Sequence, residues 1–396
     1  MPLPPSLRGL PRETWVLALV AFCVALGFGI VVPAVPLFAL EFGVGSTAAG
    51  AVVSAFALMR LVSGLAAGRL VDRVGERRSL LVGLGVVAVS SLLAGLAVNY
   101  PQLLVLRGLG GVGSAVFTIA GTSLLLRVAA AAQRGRTQSI YRGGFLLGGI
   151  VGPAFGGAVI AISIRAPFFL YAGTLLLAML AAGTLLPKPP PRDPADTSPV
   201  AQEPRTPLST AMGKPAYRAA LAGNFAIGFS LFGVRSTVVP LLVVQGLSLG
   251  PGWIGAAFTL GAAVQALLLL PAGRAVDEIG RRPTLVAGAL LTAAALALLA
   301  AATGPVSLLL AMTVLGAGGA LLGVAPAAVV GDVVEGRGGT AIAVWQMSSD
   351  LGAVAGPLVA GLLIDRASFA AALLTSAAVV AACGLLGLRV PAGRPA

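Results

Sequence analysis

The sequence predicts an all-α membrane protein with twelve transmembrane helices in two six-helix, pseudo-symmetric halves. Three observations lead there: an apolar composition, apolar runs of membrane-spanning length, and unusual residues that recur at one offset. Of the 396 residues, 58% are hydrophobic and only 10% charged, and the mean hydropathy is +1.00. A soluble domain carries about 25% charged residues; lipid is the solvent, and hence the partner, that tolerates so few.

A spanning helix needs about 20 mostly apolar residues. Such runs occupy Trp15–Leu40, Thr47–Ala67, Ser79–Val98, Gln102–Leu126, Ser139–Ile162 and Pro167–Leu186. Six more occupy Tyr217–Pro240, Pro251–Ala272, Pro283–Ala302, Val306–Val330, Thr340–Ile364 and Phe369–Leu388. The first is too long for a cleavable signal peptide. Between the sets lies a Pro-rich, charged stretch, expected to be a disordered or extended linker. The expected organisation is therefore an N-terminal bundle over 1–186, a cytoplasmic linker over 187–215 and a C-terminal bundle over 216–396.

Loop charge sets the orientation. With both termini in the cytoplasm, the inner segments hold twenty Lys and Arg side chains and the outer loops hold two, Arg165 and Arg366. A multi-pass protein of the cytoplasmic membrane is expected. The net charge of +13 is spread between apolar runs and forms no basic face, which argues against nucleic-acid binding.

The halves match each other. Gly68, Asp72, Gly75 and Arg77 recur 205 residues on as Gly273, Asp277, Gly280 and Arg282. Gly148, Gly152, Pro153 and Gly157 recur 204 residues on as Gly352, Gly356, Pro357 and Gly361, and Pro36 recurs as Pro240. Duplicated bundles of this kind are typical of alternating-access transporters.

Several chemistries are excluded. The chain has no histidine, which removes imidazole metal sites and Ser-His-Asp triads. Its two cysteines, Cys23 and Cys383, form no CxxC. Its lysines, Lys188 and Lys214, both fall in the linker, so a Walker A sequence cannot occur. An aspartyl intramembrane enzyme wants two acids at depth, and one is present. No enzyme, metal site or cofactor is expected.

Five charges lie inside the apolar runs: Arg60, Arg107, Arg142, Arg235 and Asp350. A mid-bilayer charge costs about 2.5–3.5 kcal/mol on insertion scales, so these residues should face a cavity or one another. Asp350, the only acid at that depth, is the candidate proton-coupling group. A structural ion pair with an arginine is the other reading. Four cations against one anion would also suit an anionic or phosphorylated substrate, since guanidinium pairs bidentately with such groups. Arg235 stands out because its repeat mate is Val31. Tyr141 and Trp345 are repeat mates, as are Arg142 and Gln346; with Asn224 and Gln265 they are candidate lining groups of a substrate cavity.

These residues carry a family resemblance. GRLVDRVGERR after the second run, with Gly68, Asp72, Arg73, Gly75 and Arg77, resembles the loop signature of the major facilitator superfamily, and GRAVDEIGRR, ending at Arg282, resembles its weaker copy. LRGLGGVGSA places Arg107 at the family's fourth-helix arginine. GGFLLGGIVGPAFGG, with Gly144, Gly148, Gly152, Pro153, Gly156 and Gly157, resembles the fifth-helix signature of its proton-coupled efflux antiporters. The resemblance implies the major facilitator fold, a gating loop, Arg107 beside Asp350 in proton coupling, a proton gradient as energy source, and one chain per working unit. The implied function is proton-coupled export of small molecules by alternating access. The alternative is carriage of organic anions or phosphorylated, lipid-like anionic solutes by the intramembrane arginines. The chain departs from the pattern at Glu76, where a basic residue is usual, and at Glu278. The loop after the fourth run has no acid, so the ionic latch of some members is expected to lack a partner here.

Overall fold

A computed structural model describes residues 11–128, 134–187, 206–334 and 339–391. Arg8, Lys188, Arg192, Arg205, Arg337 and Arg394, used above for orientation, and most of the linker lie outside them. Twelve helices are long and apolar enough to cross a membrane, and the described residues contain no strand. They are α1 Arg12–Leu40, α2 Ser46–Val74, α3 Glu76–Gly95, α4 Tyr100–Leu125, α5 Arg136–Ile162 and α6 Ala166–Leu185, followed by α7 Pro215–Gly246, α8 Gly252–Glu278, α9 Arg281–Ala300, α10 Pro305–Val333, α11 Thr340–Arg366 and α12 Phe369–Arg389.

All twelve expected spans are present. The ends differ where capping, not hydropathy, decides them. α3 begins three residues earlier than expected because Gly75, at φ +90°, takes the left-handed turn that starts it; Gly280, at φ +114°, does the same for α9. α7 runs past Pro240, through a π-helical turn over Leu242–Gly246. The linker's described end is not extended: Leu208–Gly213 forms a short helix after Pro207. Ala211 buries there beside Tyr217, Val330 and Val333, and this burial outweighs the local proline bias.

The chain divides into two compact units, Met1–Ala34 with Leu58–Pro190, and Val35–Ala57 with Pro191–Ala396. The first part of α2 thus belongs to the second unit. The core of the first unit includes Leu17, Leu84, Leu103, Phe168, Tyr171 and Leu175, all at most 1% exposed. The core of the second gathers Val234, Val238, Ile254, Phe258, Leu296, Met312 and Leu373.

Within the first unit, α5 lies against α1 along a glycine seam. Gly144, Gly148, Gly152 and Gly156 recur every four residues, so they share one face of α5. A Cβ at Gly148 or Gly152 would stand 2.5 Å from the carbonyl oxygen of Phe22 or Leu26, and one at Gly156 would stand 3.2 Å from that of Ile30. Gly144 abuts the carbonyl of Ala18 in the same way. Backbone-to-backbone approach of this kind is open only to glycine. Pro153 inserts its ring against Gly29, and Gly157 is buried.

The second unit repeats the seam between α11 and α7. Gly352 and Gly356 meet the carbonyls of Phe225 and Phe229, and Pro357 meets Gly233. The repeat is out of step by one residue at its start. An offset of 204 pairs Phe22 and Leu26 with 226 and 230, not with 225 and 229. At Gly233, mate of Gly29, the register is restored. The extra residue lies in the π-helical turn over Gly228–Val234, where i→i+5 bonding accommodates it.

Candidate functional site

The loop after α2 holds an ion pair that the sequence reading did not expect. Glu76, the first residue of α3, is 6% exposed. It accepts a hydrogen bond at 3.0 Å from Arg127, in the turn that continues α4. In the second unit, Arg281 opens α9 and donates to both carboxylate oxygens of Asp332, at 2.8 and 3.3 Å, at the end of α10. Each pair spans 51 residues, and the two are repeat mates at an offset of 205: Glu76 with Arg281, and Arg127 with Asp332. The contact is duplicated and its charges are exchanged. The loop after α4 supplies no acid, as expected, but an ion pair joins α3 to α4 all the same. Its acid sits on α3 and its base on α4.

The exchange reaches the neighbouring acid. Asp277 lies 3.5 Å from Arg281, one helical turn away. Its mate Asp72 has Glu76 in the corresponding place, so the same local pairing is closed to it. Asp72 and Arg73 are exposed, and Arg77 donates to the carbonyl of Gly183 on α6. Arg282 is half-buried. At Gly68 and Gly273 an added Cβ would meet open space, so only Gly75 and Gly280 of the four loop glycines are required by backbone geometry.

A second polar contact lies at the opposite ends of α2 and α11. The Oδ1 of Asp365 accepts from the Ser46 amide at 2.8 Å, and its Oδ2 accepts from the Thr47 amide at 2.8 Å and the Thr47 hydroxyl at 2.7 Å. A carboxylate of one helix thus caps the N-terminus of another, where unsatisfied amides and the helix dipole favour an anion. Below it, Gly361 abuts the Ser46 carbonyl, Gly50 abuts the Pro357 carbonyl, and Ser54 donates to the Val354 carbonyl at 2.7 Å. This zipper assigns the start of α2 to the second unit. Sequence reading passed over Asp365 because it stands at a helix end, where an acid reads as solvated.

The intramembrane charges fall in both units. Arg107 of α4 is 5% exposed; with the half-buried Arg60 it lies within electrostatic reach of the Tyr171 phenol. Tyr171 is itself 1% exposed and meets Phe28 edge-on at 6.2 Å. No sequence signal marked it. Asp350 is half-buried on α11, next to Ser349, whose carbonyl abuts Gly228 at the start of the π turn. Arg235 is half-buried directly after that turn, with its guanidinium carbon 5.3 Å from the centre of the Phe258 ring. Its Nε is buried without a hydrogen-bond partner.

The other candidate lining groups divide in two. Asn224 donates to the Trp345 carbonyl at 2.6 Å and approaches Ser348 Oγ at 3.5 Å, so it holds α7 to α11. Ser348 occupies the repeat position of Gly144, and here side-chain hydrogen bonds stand in for the glycine contact. Gln265 reaches the Gly319 carbonyl at 3.5 Å. Tyr141 is buried against Phe145, edge-on at 5.2 Å. Trp345 is half-buried with its indole N–H unpartnered, and Arg142 and Gln346 are exposed. Among the described residues, no cluster of His, Cys, Asp or Glu could hold a metal ion.

Twelve apolar helices, duplicated seams and duplicated loop pairs define a polytopic membrane protein built on a repeat. The chain belongs to the Major Facilitator Superfamily, whose model matches residues 17–251 and 221–396. It is 30% identical over 165 residues to multidrug resistance protein 2 of Bacillus subtilis, covering 42% of this chain and 41% of that protein. It is 29% identical over 183 residues to the quinolone resistance protein NorA of Staphylococcus aureus, covering 45% and 46%. The chain thus matches less than half the length of these relatives. In fold it is similar to a bacterial homolog of the human lysosomal transporter Spinster, with a TM-score of 0.76, 16% identity, and coverage of 96% of this chain and 95% of that one. It is equally similar to the peptide transporter POT, with a TM-score of 0.78, 16% identity, and coverage of 96% and 94%.

Proposed function

We propose that the protein is a proton-coupled exporter of small molecules, an antiporter that opens its substrate path to one side of the membrane at a time. The observation that carries this reading is the glycine seam of α5 on α1, with Pro153 at its centre, repeated as α11 on α7. Two rigid, closely joined helix pairs are suited to moving as bodies, and the fifth-helix pattern resembles that of efflux antiporters. The multidrug and quinolone resistance relatives support export as the direction.

In this reading Asp350 loads and releases the proton, Arg107 tunes the charge balance, and the loop pairs hold one conformer until that charge changes. The exchange is driven by the proton gradient across the cytoplasmic membrane, with both termini inside and a single chain as the working unit. Purified protein in liposomes with an imposed pH gradient, screened against a panel of lipophilic drugs, tests the reading. Uphill movement of at least one compound should follow the gradient and collapse with a protonophore. Asp350→Asn should keep downhill exchange and lose the response to the gradient. Transport indifferent to the gradient, or an unaltered response in Asp350→Asn, overturns the reading.

A further inference from the structure

α7 is enclosed along most of its length. From Ala226 to Val243 every residue is buried except two, Phe232 and Arg235. Phe232 is 50% exposed. The two are three residues apart and so share one face of the helix. A helix that met lipid would expose a continuous stripe over these five turns. A single opening in an otherwise buried helix is the mark of an internal space.

The opening holds a cation without a counter-ion. Arg235 forms no ion pair among the described residues, and its Nε lies buried without a partner. The guanidinium carbon lies over the Phe258 ring, 5.3 Å from its centre. An aromatic ring accepts no N–H hydrogen bond of the strength a carboxylate does, so the forked donors of this guanidinium are suited to a planar anion. The repeat mate in α1 is Val31, which is 0% exposed, so the fold does not call for an arginine at this level. The residue is costly in a membrane span and does no evident structural work.

We infer that Arg235 recognises the carboxylate of an amphiphilic organic anion, with Phe232 against the apolar body of that ligand and Phe258 holding the guanidinium in place. This rests on the transporter reading above and names the substrate class.

The test compares three probes with one aromatic body: 2-naphthoate, 2-naphthamide and a naphthylmethyl trimethylammonium salt. Binding to the full chain in lipid nanodiscs is measured by titration calorimetry. 2-Naphthoate should bind at least tenfold more tightly than the other two. Arg235→Gln should bring naphthoate and naphthamide within twofold. Arg235→Lys should fall between, because an ammonium cannot make the paired contact. Phe232→Ala should weaken naphthoate and naphthamide alike, and serves if Arg235→Gln does not elute as folded protein. Equal affinity for the three probes, or a naphthoate preference that survives in Arg235→Gln, overturns the inference; so does unchanged naphthoate affinity in both Arg235→Lys and Phe232→Ala. Gradient-driven export of the trimethylammonium probe without naphthoate binding would sink this inference and leave the exporter reading standing. Selective naphthoate binding without any gradient-driven flux would do the reverse.

Discussion

Glu76 opens α3 with an acid where its mate, Arg281, opens α9 with a base, and each finds the opposite charge at the end of the next helix. The contact survives inversion because a Coulomb pair depends on the product of its charges, not on which partner holds which sign. Glu76 is buried while the Arg127 side chain is 41% exposed, so solvent screens the pair and its coupling should be about 1 kcal/mol. Arg127→Ala should cost about as much as that coupling, since it removes one charge-assisted hydrogen bond from a buried carboxylate. Glu76→Arg should lower the melting temperature of the purified protein, and Glu76→Arg with Arg127→Glu should recover most of the loss. A double reversal no more stable than the single one would refute the pairing. Both acids and both arginines are plain in the sequence. Their partnership would have been found by applying the 205-residue offset to charged residues as well as to glycines and prolines.

At the scale of the helix, steric fit and capping decide what hydropathy leaves open. The glycine seam predicts a contrast between neighbours. A Cβ at Gly152 meets the backbone of α1 at 2.5 Å, whereas one at Gly149 meets nothing within 4 Å. Gly152→Ala should therefore destabilise the protein by about 1–3 kcal/mol, whereas Gly149→Ala, inside the helix with room for the methyl, should leave stability unchanged or raise it by up to about 1 kcal/mol, compared by denaturant titration in mixed micelles. The cap on α2 makes a separate prediction. A lost N-cap acceptor costs about 1 kcal/mol, or roughly fivefold in local opening. In Asp365→Ala, hydrogen exchange at the Ser46 and Thr47 amides should quicken by about that factor, while the start of α9 stays as it was. Unchanged exchange at α2 would show that water replaces the carboxylate without loss. The glycines of the seam were legible as a repeat and a motif, but which helix they meet was not. Nor was the cap, because Asp365 and Thr47 lie 318 residues apart and neither is unusual in its own loop.

Over the whole molecule, the chain carries its architecture twice and departs from its own repeat in a few places. Those departures include the π-helical turn over Gly228–Val234, the arginine that follows it, and the exchanged loop charges. The first two adjoin on α7, beside the residues that neighbour Asp350. Membrane orientation is testable at the same scale. With Cys23 and Cys383 replaced, cysteines at Asn99 and Thr303 should react with an impermeant maleimide added outside intact cells, and one at Ile279 only after permeabilisation. The reverse pattern would invert the proposed topology.

Residue order alone was enough for the class of fold, the number of spans and the duplication. Each follows from local apolarity or from a repeat, and a bilayer allows few alternatives once backbone hydrogen bonds must be met within the chain. Folding was needed to show which charges meet. A salt bridge joins side chains 51 residues apart and a helix cap joins residues more than 300 apart. Such pairings depend on the register between helices, and one extra residue in a π turn changes that register without leaving a mark on the hydropathy of the chain.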